Sequence, residues 1–362
     1  MAHLCAMLRL RFTQRALRFN FPARTSRGAL AEHVAWYLHL ADDTIPLAVG
    51  LGEAAPLAGL SPEYGPEFAA AVAALCQRFN AGTWAAFTAA DVPAFVGEGL
   101  PSLTFALETA VLDLARGGRR QLYANAFSQG HAALPINGLV WMGDAAFMRE
   151  QIQQKLAAGY SCLKLKIGGL DFATELDLLT EIRAVAGPEQ LTLRVDANGA
   201  FATADAPAKL AQLAAFHIHS IEQPIAAGQL AALAALCRTS PLPIAPDEEL
   251  IGVTSPDQQA ILLDEIRPAF VVLKPTLLGG HAATRRWIAL AEARGIGWWI
   301  TSALESNIGL NAVAQLTGEY DVRGFAQGLG TGQLYHNNVA APLHIGAGAL
   351  RYDPVGLWEL PG

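Results

Sequence analysis

Leu163-Lys164-Leu165-Lys166 is an apolar run broken by two charges, and the pattern recurs along the chain. Arg194-Val195-Asp196-Ala197-Asn198, Ile221-Glu222-Gln223-Pro224, Ala245-Pro246-Asp247-Glu248-Glu249 and Val272-Leu273-Lys274-Pro275 are further short apolar runs that end in charge. Parallel strands buried on both faces read as nearly pure apolar segments, so the terminal charges are the informative feature. The intervals are 30 residues from Lys166 to Asp196, then 26 to Glu222, 25 to Asp247 and 27 to Lys274. A strand, a helix and their loops together take about 30 residues. Each charge therefore falls at the C-terminal end of a successive strand. In a closed parallel barrel those ends form one rim, and active sites are built on that rim.

The surrounding sequence agrees. Pro135–Trp141, Cys162–Ile167, Leu191–Val195, Ile218–Ile221, Leu242–Ala245, Phe270–Leu273 and Gly297–Ile300 read as strands. Between them lie helical periodicities. Glu175–Ala186 places Leu176, Leu179, Ile182 and Val185 three apart and stops at Gly187, and Ala282–Arg294 stops at Gly295. Alternating strands and helices predict βαβ units and a parallel sheet. Seven or eight units in a row favour a barrel over an open sheet. An open dinucleotide-binding sheet carries a glycine fingerprint after its first strand, and Trp141-Met142-Gly143-Asp144 is nothing like one. The α/β barrel is thus predicted over residues 131–327. Residues 1–130 have another texture. Leu8-Arg9-Leu10-Arg11-Phe12 alternates as a half-buried strand does, and Ala69–Phe79 and Ser102–Ala115 read as helices, which predicts an α+β unit. The Gly- and Pro-rich segment 328–362 is expected to pack back on that unit.

Composition sets bounds. With roughly 150 residues per domain, 362 residues predict two domains. The mean hydropathy is +0.28, but polar residues, Gly or Pro interrupt every apolar run before it reaches about 18 residues, so no membrane span is expected. A net charge of −7 excludes the basic face that a nucleic-acid partner requires. Cys5, Cys76, Cys162 and Cys237 form no CxxC pair, which argues against a disulfide scaffold or zinc-thiolate site. Met1–Phe19 lacks the pattern of a secretory signal, and the expectation is a cytoplasmic protein acting on a small molecule. A homo-oligomer is compatible with the sequence but not readable from it.

The charges suggest a chemistry. Asp196, Glu222 and Asp247 are three carboxylates from neighbouring strands that repel one another unless a cation joins them. Oxygen donors with no His or Cys suit Mg²⁺ rather than Zn²⁺. Lys164 and Lys166 share a strand face, and Lys274 enters from the far side of the ring. An ammonium crowded by other cations and a metal is expected to have its pKa lowered and to act as a base. Such a ring is suited to removing a proton α to a carboxylate.

At these residues the chain resembles the enolase superfamily, muconate-lactonizing-enzyme subgroup, and within it the o-succinylbenzoate synthase family. The resemblance rests on Lys164-Leu165-Lys166, Asp196-Ala197-Asn198-Gly199, Glu222-Gln223-Pro224, Asp247-Glu248-Glu249-Leu250 and Leu273-Lys274-Pro275. Narrower support comes from Pro135–Trp141, Ser302–Leu310 and Gln327–Gly332, and the resemblance spans nearly the whole chain. It implies a modified TIM barrel, (β/α)7β, with an α+β capping domain. It implies Mg²⁺, with Mn²⁺ as a substitute, on Asp196, Glu222 and Asp247. It also implies syn dehydration of 2-succinyl-6-hydroxy-2,4-cyclohexadiene-1-carboxylate to o-succinylbenzoate in menaquinone biosynthesis. Lys166 would be the base and then the acid, Lys274 would steady the enediolate, and Lys164 would support the charge. Ser302, Glu305, Asn198, Thr25 and Arg27 are the candidates for substrate contact, with Glu305 alternatively an ion-pair partner of Lys274.

Plainer readings exist for each residue. Lys164 and Lys166 suit a solvated edge strand, Asp196-Ala197-Asn198-Gly199 a turn, and Glu222 a surface loop. None of these explains the common pitch. Glu248 and Glu249 read as supporting or surface groups, and His217 and His219 as structural residues at the far end of the barrel. Gly328-Leu329-Gly330-Thr331-Gly332 lacks the following helix of a phosphate cradle and reads as a turn lining the site. The rival activity is a dipeptide epimerase or N-acylamino-acid racemase of the same superfamily, which uses the same lysines. Dipeptide epimerases of that resemblance carry an Asp-x-Asp element near the last strand, and none lies between Trp298 and Leu310. A non-catalytic scaffold would be expected to lose some of the six charges, and all six are present.

Overall fold

The computed structural model describes residues 8–25, 28–44, 47–84 and 86–361. Three antiparallel strands, β1 (Leu8–Thr25), β2 (Gly28–Asp42) and β3 (Val49–Ala54), form the first sheet in that order. Arg9 and Arg11 face solvent while Leu10 is buried, as the alternation requires. Helices α1 (Phe68–Ala81), α2 (Val92–Val96) and α3 (Pro101–Ala115) complete this unit. β3 and α3 approach so closely that a Cβ on Gly52 would lie 1.8 Å from the Ala106 carbonyl oxygen. Only glycine fits there.

The second unit alternates strand and helix. It runs β4 (Leu134–Pro135), β5 (Gly138–Val140), α4 (Ala145–Ala157), β6 (Cys162–Lys166), α5 (Phe172–Val185), β7 (Thr192–Asp196), α6 (Ala206–Ala214), β8 (Ser220–Glu222), α7 (Leu230–Thr239) and β9 (Ile244–Ala245). It continues through α8 (Pro256–Ile266), β10 (Phe270–Leu273), α9 (Pro275–Leu278), α10 (Gly280–Glu292), β11 (Gly297–Ile300) and α11 (Asn307–Thr317). β5 to β9 form one parallel sheet, and β10 pairs with β11 in parallel.

Backbone hydrogen bonds close these pieces into a ring. Val272 N donates to Pro246 O at 2.9 Å, joining β9 to β10. Gln327-Gly328 supplies the eighth strand position: Gly328 N donates to Ile300 O at 2.9 Å, and Asn137 N donates to Gln327 O at 2.9 Å. Seven strands followed by helices and one closing strand make the (β/α)7β barrel that the resemblance implied. Its interior and helix-facing sides share one large apolar core.

The C-terminal segment divides between both units rather than packing on the first alone. Asn20 N donates to Leu334 O at 2.8 Å and His336 N to Arg18 O at 3.1 Å, where β1 shifts register against β2. Beyond this, β12 (Leu343–Gly346) and β13 (Ala349–Tyr352) form an antiparallel sheet with β4.

Glu53, near the end of β3, ties the first unit to the segment that follows β11. Its buried carboxylate accepts from Ser306 N at 2.7 Å, Ser306 Oγ at 2.6 Å and Gly309 N at 2.7 Å, capping the first turn of α11. Burial pushes Glu53 up to about 7, against the pull of those donors. A carboxyl raised on folding binds its proton more tightly in the native state. Its contribution is complete below about pH 4.5 and is lost as pH rises through about 7. The melting temperature should therefore fall between pH 5 and pH 8. Glu53→Gln should melt lower at pH 5 but with a shallower pH slope; thermal scans of both proteins across that range provide the check.

Candidate active site

Register brings the charged strand ends together. Lys166 pairs with Asp196, and Asp196 with Glu222, across β6, β7 and β8. Asp247 lies two residues past β9, and Lys274 directly follows β10. Period-two alternation turns Lys164 and Lys166 to the same face. The site strands are short and buried, and Asp196 and Glu222 are the last residues of theirs; Arg194, lower in β7, is buried against Trp299 and Phe325 and donates to Ala326 O.

The side chains interlock there. Lys164 Nζ stands 3.0 Å from Asp196 Oδ2 and 2.8 Å from Glu222 Oε2. Lys166 Nζ donates to Asp196 Oδ2 at 2.9 Å and to Asn198 Oδ1 at 2.7 Å. Lys274 Nζ bonds Asp247 Oδ2 and lies 3.9 Å from Glu222 Oε1. Lys164, Lys166, Asp196, Glu222 and Asp247 are buried, and Lys274 is half-buried at the rim. Burial pulls the Lys164 ammonium down, but Asp196 and Glu222 outweigh it and hold it above the ordinary lysine value. Burial works against the Asp196 carboxylate too, yet Lys164, Lys166 and Lys274 hold it well below the usual range. Asp247 behaves in the opposite way. Burial, with Glu248 and Glu222 close by, pushes it well above the carboxylate range despite Lys274.

A hard divalent cation needs oxygen donors that converge on one point. Among the described residues, no three carboxylate, imidazole or thiol groups stand in a ready metal-holding arrangement. Ammonium groups lie between the carboxylates instead, because in a buried cluster each negative charge is drawn to the nearest positive one. The chemistry still fits. Three carboxylates from adjacent strands supply oxygen donors, Glu222 Oε1 is buried with no hydrogen bond, and burial with neighbouring carboxylates keeps Asp247 well above the carboxylate range even beside Lys274.

Above the cluster opens a cavity of ≈ 660 Å³, its mouth included. Lys164, Lys166, Lys274, Asn198 and Ser302 line it. Asn198 N donates to Asp196 Oδ1 at 3.0 Å, and its amide reaches Glu248 Oε1 at 3.1 Å. Ser302 Oγ lies 2.7 Å from Thr331 Oγ1. Glu305 departs from its expected place. It is fully buried, bonded to the Thr276 hydroxyl and accepting from Ala303 N at 2.7 Å, and it neither lines the cavity nor ion-pairs with Lys274. The positive φ of 67° at Leu304 turns the chain just before it. Arg27 and the side chain of Thr25 lie outside the described residues.

His219 sits at the opposite end of the barrel against Phe270, ring centroids 4.7 Å apart, as a structural residue would. Gly328, Gly330 and Thr331 line the cavity, as the turn reading expects. Other contributors escape sequence reasoning. Gln223, fully buried with φ 39°, accepts from Asp247 N at 3.1 Å and donates to Ile225 O at 2.9 Å, so it fixes the loop that carries Asp247. A non-glycine residue in that region is strained and marks a constrained site. Leu57 and Leu60, from the first unit, form part of the cavity wall, and no local sequence signal announces them.

Comparison with known proteins gives four findings. Residues 147–353 match a family model described as enolase C-terminal domain-like. An o-succinylbenzoate synthase from Desulfotalea psychrophila is 45% identical over 95% of this chain and 98% of its own. Among solved structures, MenC from Desulfotalea psychrophila superposes with a TM-score of 0.84 at 43% identity, covering 95% of this chain and 99% of that one. A dipeptide epimerase from Cytophaga hutchinsonii, complexed with Mg and the dipeptide D-Ala-L-Val, has a TM-score of 0.81 at 19% identity, covering 96% and 94%; this is a likeness of fold.

Proposed function

The chain belongs to the enolase superfamily, and from that premise we infer that it is an o-succinylbenzoate synthase, a carbon–oxygen lyase. It dehydrates 2-succinyl-6-hydroxy-2,4-cyclohexadiene-1-carboxylate in menaquinone biosynthesis. The observation that carries the reading is the pair Lys166 and Lys274, which flank one row of buried carboxylates and line one cavity. The near-full-length likeness to a synthase at 45% identity supports the choice of substrate.

We assign the roles as follows. Lys166, as the amine, takes the proton from the ring carbon that bears the carboxylate, leaving an enediolate. The resulting ammonium gives that proton to the hydroxyl on the same face, water departs, and the ring becomes aromatic. Lys274 approaches from the other side and steadies the anion. Lys164, bonded to Asp196 and Glu222, keeps positive charge beneath it. Asp196, Glu222 and Asp247 are the residues to hold Mg²⁺, or Mn²⁺ in its place. When bound, the cation supplies positive charge to the carboxylate on which negative charge develops. Asn198 and Ser302 contact the substrate. Residues 1–130, joined through Leu334 and His336 of the tail 328–362, act as the cap over the barrel of residues 131–327, and Leu57 and Leu60 in the cavity wall support that division. A cytoplasmic location suits the unpaired thiols of Cys76, Cys162 and Cys237. Among the described residues no helix is long and apolar enough to cross a membrane.

The rival epimerase reading is separable by isotope exchange. The Mg²⁺-loaded protein in D₂O should leave a panel of dipeptides unlabelled at Cα while it turns over the cyclohexadiene carboxylate. Rapid labelling of a dipeptide, with no turnover of the diene, would overturn the assignment.

A further inference from the structure

The rim of the barrel divides into sectors. Asp196, Glu222 and Asp247 follow three adjacent strands, and the lysines stand on the strands at either side. The remaining arc, formed by β11, the closing segment and β5, presents no charged side chain to the cavity. A substrate whose reacting carboxylate lies at the charged sectors must therefore extend its other end along this neutral arc. The hydroxyls there are already engaged: Thr301 Oγ1 lies 2.9 Å from Gly328 O, and Ser302 Oγ 2.7 Å from Thr331 Oγ1. Asn137 differs. It lines the cavity and is 4% exposed, yet its Oδ1 is buried without any hydrogen bond. With Leu139 and Trp141 it occupies the alternate positions that this edge of the barrel turns inward. A buried amide oxygen that accepts nothing is costly, and with no bond fixing that oxygen the amide can present its N–H₂ to a ligand.

Resting on the synthase reading, we propose that Asn137 is a specificity residue that donates its amide N–H to the distal carboxylate of the substrate's succinyl arm. That arm offers only acceptors, and a hydrogen bond to a charged group is among the stronger kinds. The arm is thus read by shape and a neutral donor, and the lysines are left to the reacting carboxylate.

The test uses the Mg²⁺-loaded full chain and two ligands: o-succinylbenzoate, and 2-butyrylbenzoate, in which a methyl group replaces the arm carboxylate. Calorimetric dissociation constants are compared for wild type, Asn137→Leu and the near-isosteric Asn137→Asp. Asn137→Leu should weaken o-succinylbenzoate about 10–100-fold and leave 2-butyrylbenzoate within about twofold. Asn137→Asp should weaken o-succinylbenzoate further, through like charge. In turnover, KM should rise while kcat holds, the mark of a group that binds ground and transition states alike. Unchanged 2-butyrylbenzoate binding also certifies that each variant is folded. Equal losses for both ligands, or a fall in kcat with KM unchanged, would overturn the anchor alone. Wild type that neither binds nor forms o-succinylbenzoate would overturn the functional reading beneath it.

Discussion

Lys166→Ala should lose at least about 10³-fold in kcat and still fold and bind o-succinylbenzoate. General-base catalysis contributes about 10²–10⁴-fold, and no other amine can take over on that face. Lys164 is held between Asp196 and Glu222, and Lys274 stands across the ring beside Asp247. Lys166→Arg sharpens the test. It keeps the positive charge beside Asp196 but cannot give up a proton near neutral pH. Both variants should be inactive, with product binding retained more fully by the arginine. An active Lys166→Arg would mean that Lys166 acts through charge alone and that the base lies elsewhere.

Chelation should be as severe and should reverse. Treatment with EDTA is expected to remove all measurable turnover, and added Mg²⁺ or Mn²⁺ should restore it. The physical reason lies in the cluster's own charges. Glu222 keeps one buried oxygen without a hydrogen bond, and Asp247 is driven toward its protonated form by burial and neighbouring carboxylates. A divalent cation relieves both. Glu222→Gln keeps the shape and removes one charge, so its half-saturating Mg²⁺ concentration should rise at least tenfold in a metal titration monitored by activity. Turnover indifferent to EDTA would remove the metal from the mechanism.

Much of this was legible in the sequence because parallel strands leave so little room for charge. Lys166, Asp196, Glu222, Asp247 and Lys274 stood out against apolar runs, and their spacing alone put them on one rim. Phe270–Leu273 and Gly297–Ile300 coincide with β10 and β11. Elsewhere tertiary context decided. Gln327-Gly328 has no strand pattern, yet it closes the barrel, because backbone bonds to Ile300 and Pro135 do not depend on side chains. Helix α5 begins at Phe172, three residues before the periodicity suggested. Glu305 lies the right distance past β11 to reach the mouth, but one left-handed residue before it sends the carboxylate to Thr276. Gln223 and Asn137 fall in segments that carry the resemblance, but their individual roles could not be read because they depend on groups far along the chain. Gln223 holds the backbone at Asp247, and the Asn137 side-chain oxygen accepts no hydrogen bond.

The central claim is that this ring of lysines and carboxylates dehydrates the cyclohexadiene carboxylate. The most direct measurement follows the ultraviolet absorbance of purified protein mixed with Mg²⁺ and 2-succinyl-6-hydroxy-2,4-cyclohexadiene-1-carboxylate. The account predicts rapid loss of the diene with matching appearance of o-succinylbenzoate, abolished by EDTA and absent in Lys166→Ala. Folded, Mg²⁺-loaded protein that leaves the diene unchanged would contradict it.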